Sequence, residues 1–220
     1  MPYSSRFGDH FYCRADGRLE CAYVFISGNG LPARWQKDGL FRIGELGFGT
    51  GLNVCETWRQ WKETRRPGGH LHITSFELYP MSAEDIAKAL SRWPEIEAER
   101  LALSAAWPEQ PQGTVTLHLD AQTTLTVMCA AAIDSLAAIE TAFDAFYLDG
   151  FAPSRNPDMW SEELMRLVFA RTVEGGTFAT YAAAGFVRRN LAAAGFAVER
   201  PPGFAGKREM LRGTKPVVSL

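Results

Sequence analysis

Between residues 40 and 63 the chain carries LFRIGEL, then GFGTG, then LNVCETWRQWKE, and few folds admit such a unit. The first segment reads as a buried strand and the last as a helix. Glycines at 47, 49 and 51 let the backbone turn sharply and let a ligand approach it closely. A helix starting near Leu52 points the positive end of its dipole at that ligand. A dinucleotide-binding loop needs G-x-G-x-x-G, whereas the third glycine here comes one residue early. A phosphate-binding loop needs Gly-Lys-Ser/Thr, which does not follow. Glu45 stands just before the loop. A carboxylate there repels a pyrophosphate and suits the ammonium of a methionine moiety, so S-adenosylmethionine is the expected cofactor class. Asn53, in the first helical turn, joins the candidate cofactor residues.

The rest of the chain extends this unit into an alternating pattern. HLHITSFE reads as a strand and SAEDIAKALSRW as a helix with Ser82 as its N-cap. VTLHL and DAFYL read as strands three and four. PDMWSEELMRLVFARTV is a helix opened by Pro157, GTFATYA a strand, and FVRRNLAAAG a helix. FAVERPPG and KREMLRGT look like two closing strands, one of them antiparallel. Strands alternating with helices predict an α/β fold: a Rossmann-like, seven-stranded, mostly parallel sheet of the class I S-adenosylmethionine-dependent methyltransferase type. In such sheets the ligand lies beyond the carboxyl ends of the strands. Residues 11–26 read as two short strands around an Asp16-Gly17 turn. The expected division is one methyltransferase domain over 1–220, with a hairpin extension over 1–38 and the core over 39–215.

Composition narrows the class. The 220 residues are 46% hydrophobic and carry a net charge of −2, which argues against a globally basic nucleic-acid binder. No signal pattern or long apolar run points to export or a membrane, and the cytoplasm is the expected compartment. Cys13, Cys21, Cys55 and Cys129 form no CxxC pair and read as reduced thiols. His70 and His72 alternate on one strand with no acidic or cysteine partner nearby, so they read as surface residues and no metal is expected. The six tryptophans read as core residues, with Trp160 alone placed near the site.

Two more acids close strands. Glu77 can accept hydrogen bonds from ribose hydroxyls. Asp120, with Ala121 beside it, is a candidate for the adenine, although His118 before it is an unexpected neighbour. The Ala/Thr-rich stretch 121–143 carries no motif. The most informative segment is DAFYLDGFAPSRNPDMW. Its strand ends at Asp149, followed by a turn with Phe151 and Pro153. An alkylamine is protonated at neutral pH, and neutralising it costs roughly 4–5 kcal/mol. A carboxylate at this strand end can orient such an amine and collect its proton. An aromatic ring beside it suits a planar base. Asp149 is therefore the candidate catalytic residue.

The segments YSSRFGDHFY, VFISGNGLPARW, ELGFGTGLN, SFELYP, YLDGFAPSRNPDMW, TYAAAGFVRRNLAAAGF and GFAGKREML together resemble the methyltransferase domain of the MnmC family, over nearly the whole chain. The resemblance implies methyl transfer from S-adenosylmethionine to the amine of 5-aminomethyl-(2-thio)uridine at the wobble position of transfer RNA. The products are the 5-methylaminomethyl form and S-adenosylhomocysteine. By position, Glu45, Gly47, Gly49, Gly51, Glu77 and Asp120 would bind cofactor, Asp149 would face the amine, and Phe151 and Pro153 would shape the base pocket. Many family members continue into a flavin-dependent oxidase domain. Here no second nucleotide-binding motif is found, so a separate oxidase or other enzyme is expected to supply the aminomethyl precursor. Basic residues cluster over 185–215. Lys207 and Arg208, with Arg188 or Arg189, are candidates for contact with an anticodon arm, and Arg34 and Arg155 are further ones. A methyltransferase for a small-molecule amine, and a catalytically silent cofactor-binding partner, remain as alternatives.

Overall fold

The computed structural model describes residues 2–13 and 15–218. Its centre is an eight-stranded sheet built on β3 (Gly39–Leu46), the strand that leads into the glycine loop. To one side lie β4 (Gly69–Phe76), β6 (Thr123–Cys129) and β5 (Gly113–Asp120). To the other lie β7 (Phe143–Leu148), β8 (Thr172–Thr180), β10 (Leu211–Thr214) and β9 (Ala197–Glu199), in that order. β3 pairs in parallel with β4 from Gly39 opposite Gly69 to Leu46 opposite Phe76, and with β7 up to Leu46 opposite Leu148. The chain thus builds outward from β3 to β6, then crosses back to β7. That reversal opens a crevice at the carboxyl ends of β3, β4 and β7.

Helices cover both faces because the central strands are apolar on both. Over one face lie α1 (Gly17–Glu20), α2 (Leu52–Thr64), α3 (Ala83–Leu90) and α4 (Glu97–Ala106), enclosing Ile26, Trp35, Ile43, Trp61, Ile73 and Leu103. Over the other lie α5 (Ala132–Ala138), α6 (Glu162–Ala170) and α7 (Gly185–Ala194), enclosing Leu46, Phe146, Trp160, Leu164 and Leu191. Ser82 caps α3 as expected, accepting from Asp85 N at 3.1 Å. β10 runs antiparallel between β8 and β9, the closing arrangement that the two final segments predicted.

Three expectations are corrected. The segment 11–26 forms no hairpin. Asp16 is an N-cap rather than a turn residue: its carboxylate accepts from Leu19 N at 3.1 Å, and α1 runs on into a π-helical stretch over Cys21–Ile26. Buried Cys21, Val24 and Phe25 recur at helical spacing, which the β-branched and aromatic composition obscured. Arg14, within that segment, lies outside the described residues. The N-terminal hairpin comes earlier, pairing β1 (Tyr3–Ser4) with β2 (Asp9–His10). Second, VTLHL belongs to β5, which is antiparallel to β6 and lies at the sheet edge. Third, the next parallel strand is β6, inside the Thr-rich stretch that carried no motif, and it brings the sheet to eight strands rather than seven. Its Leu125 and Val127 face the core while Thr124 and Thr126 alternate outward.

Candidate active site

A cavity of 1170 Å³ opens at the carboxyl ends of β3, β4 and β7. Gly47, Gly49 and Asn53 lie on its wall. The three loop glycines all have left-handed φ, at +83°, +55° and +76°, so the loop's curvature needs residues without a Cβ. Glu77 braces the loop from the adjacent strand. Its Oε2 accepts from Gly49 N at 2.9 Å and its Oε1 from Tyr79 N at 2.8 Å.

Glu45 lies beneath the wall, 1% exposed. Neither carboxylate oxygen has a hydrogen-bond partner among the described residues. Burial pushes the group up to about 8, despite the nearness of Ser75 and Asn53. A positive centre brought close would favour the ionised form of this buried acid, and a second acid stands on the wall, so the pair suits a ligand carrying positive centres. S-adenosylmethionine, with its ammonium and sulfonium, is such a ligand.

Asp149 sits where β7 ends. Asn53 Nδ2 donates to its Oδ2 at 2.8 Å, and Gly150 N donates to its Oδ1 at 2.8 Å. Burial raises it from the ordinary carboxylate range to about 7, against the lowering effect of those two bonds. Around it stand Glu20, Lys207 and Tyr181, all on the cavity wall. Lys207 Nζ donates to Glu20 Oε1 at 2.7 Å and lies 4.8 Å from the centre of the Tyr181 ring. The Tyr181 hydroxyl donates to the Gly150 carbonyl. The arrangement is a buried carboxylate that can exchange a proton near neutrality, next to a pocket that can receive a cofactor.

Phe151 is on the wall, but its ring is already engaged. Phe7 stacks on it at 4.6 Å between centroids and 24° between planes, and Phe11 meets it edge-on at 5.1 Å. Pro153 is not on the wall. Arg208 is not either: its side chain is 94% exposed, and Glu209 lies 3.8 Å away. Arg188 and Arg189 are exposed on α7. Arg34 is committed to structure, donating to the carbonyls of Asn29 and Asp144. Arg155 lies beside Gly8 of the N-terminal hairpin, and His72 bonds with Thr126 across the strands.

Asp120 and Ala121 are a correction. Because β5 is antiparallel, its carboxyl end lies at the opposite end of the sheet. Asp120 is paired with Thr123, which stands opposite Leu71 near the start of β4. Trp58 Nε1 donates to Asp120 at 2.8 Å and Arg65 Nη1 at 2.8 Å. These two residues are therefore not placed to hold an adenine. Ala131, Ala132 and Ile133, just after β6, line the cavity instead. Sequence reasoning also passed over Glu20, Tyr181, Phe7 and Phe11. Glu20 was hidden by the false hairpin, and Tyr181 by reading TYA only as a strand end.

Comparisons with known proteins point to the same cofactor class. A family described as S-adenosyl-L-methionine-dependent methyltransferase matches residues 94–216, more than half of the chain. The bifunctional protein MnmC of tRNA 5-methylaminomethyl-2-thiouridine biosynthesis from Azoarcus sp. is 43% identical over 96% of this chain and 34% of its own length. The protein of the same name from Caulobacter vibrioides is 41% identical over 99% of this chain and 37% of its own. The chain thus spans about a third of the length of the curated relatives it matches. The crystal structure of MNMC2 from Aquifex aeolicus superposes with a TM-score of 0.78 at 22% identity, over 97% of this chain and 67% of that one, and shares the fold. With its glycine loop, its reversal point beside β3 and this family match, the chain belongs to the S-adenosyl-L-methionine-dependent methyltransferases.

Proposed function

We propose that the chain methylates the aminomethyl nitrogen of 5-aminomethyl-(2-thio)uridine at the transfer-RNA wobble position. The observation that carries the reading is Asp149. It is a buried carboxylate near pH 7 that opens on the same cavity as the glycine loop, two residues before an aromatic ring. The names of relatives sharing 41–43% identity over nearly the whole chain support the substrate class.

In this reading the glycine loop and Glu77, on the wall, with Glu45 beneath them, form the seat for S-adenosylmethionine, which supplies the methyl group. Ala131 and Ala132 offer the apolar surface for its base. Asn53 and Gly150 N fix the Asp149 carboxylate. Once ionised, Asp149 orients the incoming ammonium and accepts its proton, leaving a nitrogen lone pair free to attack. An ordinary surface Asp is too weak a base for this; one shifted to about 7 is better matched. The expected setting is the cytoplasm, with the anticodon arm of transfer RNA as substrate. An amine-releasing activity, such as that of a flavin-dependent oxidase, makes the aminomethyl precursor.

The test is methylation of transfer RNA bearing 5-aminomethyluridine, beside transfer RNA with unmodified uridine, followed by nucleoside mass spectrometry. The reading requires the 5-methylaminomethyl product from the first RNA alone. Cofactor binding with no methylation of the aminomethyl RNA would overturn it.

A further inference from the structure

Phe151 was expected to offer a free aromatic face to a base, yet that ring is stacked. Phe7 lies against it almost as one nucleobase lies on another, 4.6 Å between centroids with planes 24° apart. The two rings are held very differently. Phe151 stands in the turn after β7, two residues from Asp149, and Phe11 backs its edge. Phe11 is itself seated on the cofactor loop: a Cβ added at Gly49 would lie 3.3 Å from its ring. Phe7, by contrast, lies in the four-residue turn between β1 and β2, beside Gly8 at φ +62°. Ser5, Arg6 and Phe7 of that turn line the cavity. On one side Arg6 lies over the Tyr79 ring at 4.1 Å; on the other Ala152 N donates to Asp9 Oδ2 at 3.2 Å.

We propose that Phe7 and Phe151 form an aromatic clamp, a fixed jaw and a moving one, whose rings part to seat one extruded pyrimidine between them. Phe151 is the fixed jaw, and a base lying on it projects its 5-substituent toward Asp149. Phe7 is the moving jaw. The hairpin turn carries it outward by one ring thickness without breaking the two-residue ladder of β1 and β2. Phe7 is then a positioning residue: it touches the base and not the reacting nitrogen. A base out of its duplex or loop stack needs a replacement stacking surface, and two rings supply it on both faces.

The inference rests on the wobble-uridine reading, and the experiment separates the two. An anticodon stem-loop carries pyrrolocytosine, a fluorescent pyrimidine dimmed by stacking, at the wobble position. It is bound to the full chain with S-adenosylhomocysteine present. The clamp requires dimming with wild type and its loss with Phe7→Ala. On aminomethyl RNA, Phe7→Ala should raise KM by about 5- to 150-fold, the range set by loss of one base–aromatic stack. Its kcat should stay within a few-fold, and Phe7→Trp should restore KM. Calorimetry with S-adenosylhomocysteine should give unchanged affinity, showing that the variant is folded. Methylation by wild type without dimming, or full rescue of KM by Phe7→Leu, overturns the clamp and leaves the wobble-uridine reading standing. Failure of wild type to methylate aminomethyl RNA overturns both.

Discussion

Asn53 Nδ2 donates to Asp149 Oδ2 at 2.8 Å, so the helix that follows the cofactor loop holds the carboxylate at the end of β7. One amide thus joins the glycine-loop helix to the proposed substrate side. Asp149→Asn removes the charge and keeps the size. Its single-turnover rate on aminomethyl RNA should fall on the order of 10²–10⁴-fold, the range for a positioned acid–base group. In wild type the rate should rise with pH through about 7 as Asp149 ionises. The variant should lose that step and regain rate only at higher pH, where more amine is neutral. A wild-type rate at neutral pH would remove Asp149 from the chemistry.

Glu45 makes a separate pH prediction. Burial holds its folded carboxyl at about 8, above the unfolded value. The folded chain therefore keeps a proton that the unfolded chain releases. Stability from this group is complete below about pH 4.5 and is lost as pH climbs through 8. Glu45→Gln should accordingly melt higher than wild type at pH 8, match it near pH 4.5, and bind S-adenosylhomocysteine more weakly. Calorimetric melts at both pH values check the first two claims. A lower melting temperature for the variant at pH 8 would show that the acid is satisfied there.

Glu77 and Asp120 should separate cleanly. Glu77 accepts two backbone bonds at the cavity, and Glu77→Ala should weaken S-adenosylhomocysteine binding by about 1–3 kcal/mol. Asp120 is held below the usual carboxylate range: burial raises it, but hydrogen bonds from Trp58, Gln122 N, Thr123 and Arg65 outweigh that. Asp120→Ala should lower the denaturation midpoint and leave cofactor affinity untouched. Asp120's contribution should be present above the ordinary carboxyl value and fade as pH falls through its lowered one. Titration calorimetry beside urea melts decides; a cofactor defect in Asp120→Ala would reverse the assignment.

The two basic neighbours near the C-terminus should also differ. Arg208 is almost fully exposed and only loosely paired, with Glu209 at 3.8 Å, whereas Lys207 is tied to Glu20 at 2.7 Å. Arg208→Glu should weaken transfer-RNA binding and lower the slope of log K against log salt by about 1. Lys207→Met should chiefly disturb methylation. Equal salt slopes for Arg208→Glu and wild type would make Arg208 a solvated surface residue.

How much of this was legible in the sequence depends on how local each signal is. The glycine loop announces itself because positive φ at three nearby positions demands glycine. Asp149 was legible as a candidate because a strand end and a proline-bearing turn mark it within a dozen residues. Asp120 was misplaced because strand direction is a property of pairing: one antiparallel partner sends a strand-end acid to the wrong pole. Phe7 left no local trace, since its partner Phe151 lies far along the chain and only the folded hairpin brings them together. Glu20 was lost to a false period, where Cys21 to Ile26 looked β-like by composition and is helical by packing.

The insertion of β10 between β8 and β9 has a consequence for the order of events at the ribosome. Glu20 emerges early, and its partner Lys207 lies in the turn that leads into β10, 187 residues later. Until that turn is made, β8 shows an open edge, β9 lacks its partner strand, and Glu20 lacks Lys207. Sealing the sheet edge and finishing the cavity wall are therefore one event. A nascent chain stopped before Lys207 holds the cofactor loop and Asp149 but lacks the Glu20–Lys207 pair that completes the cavity wall.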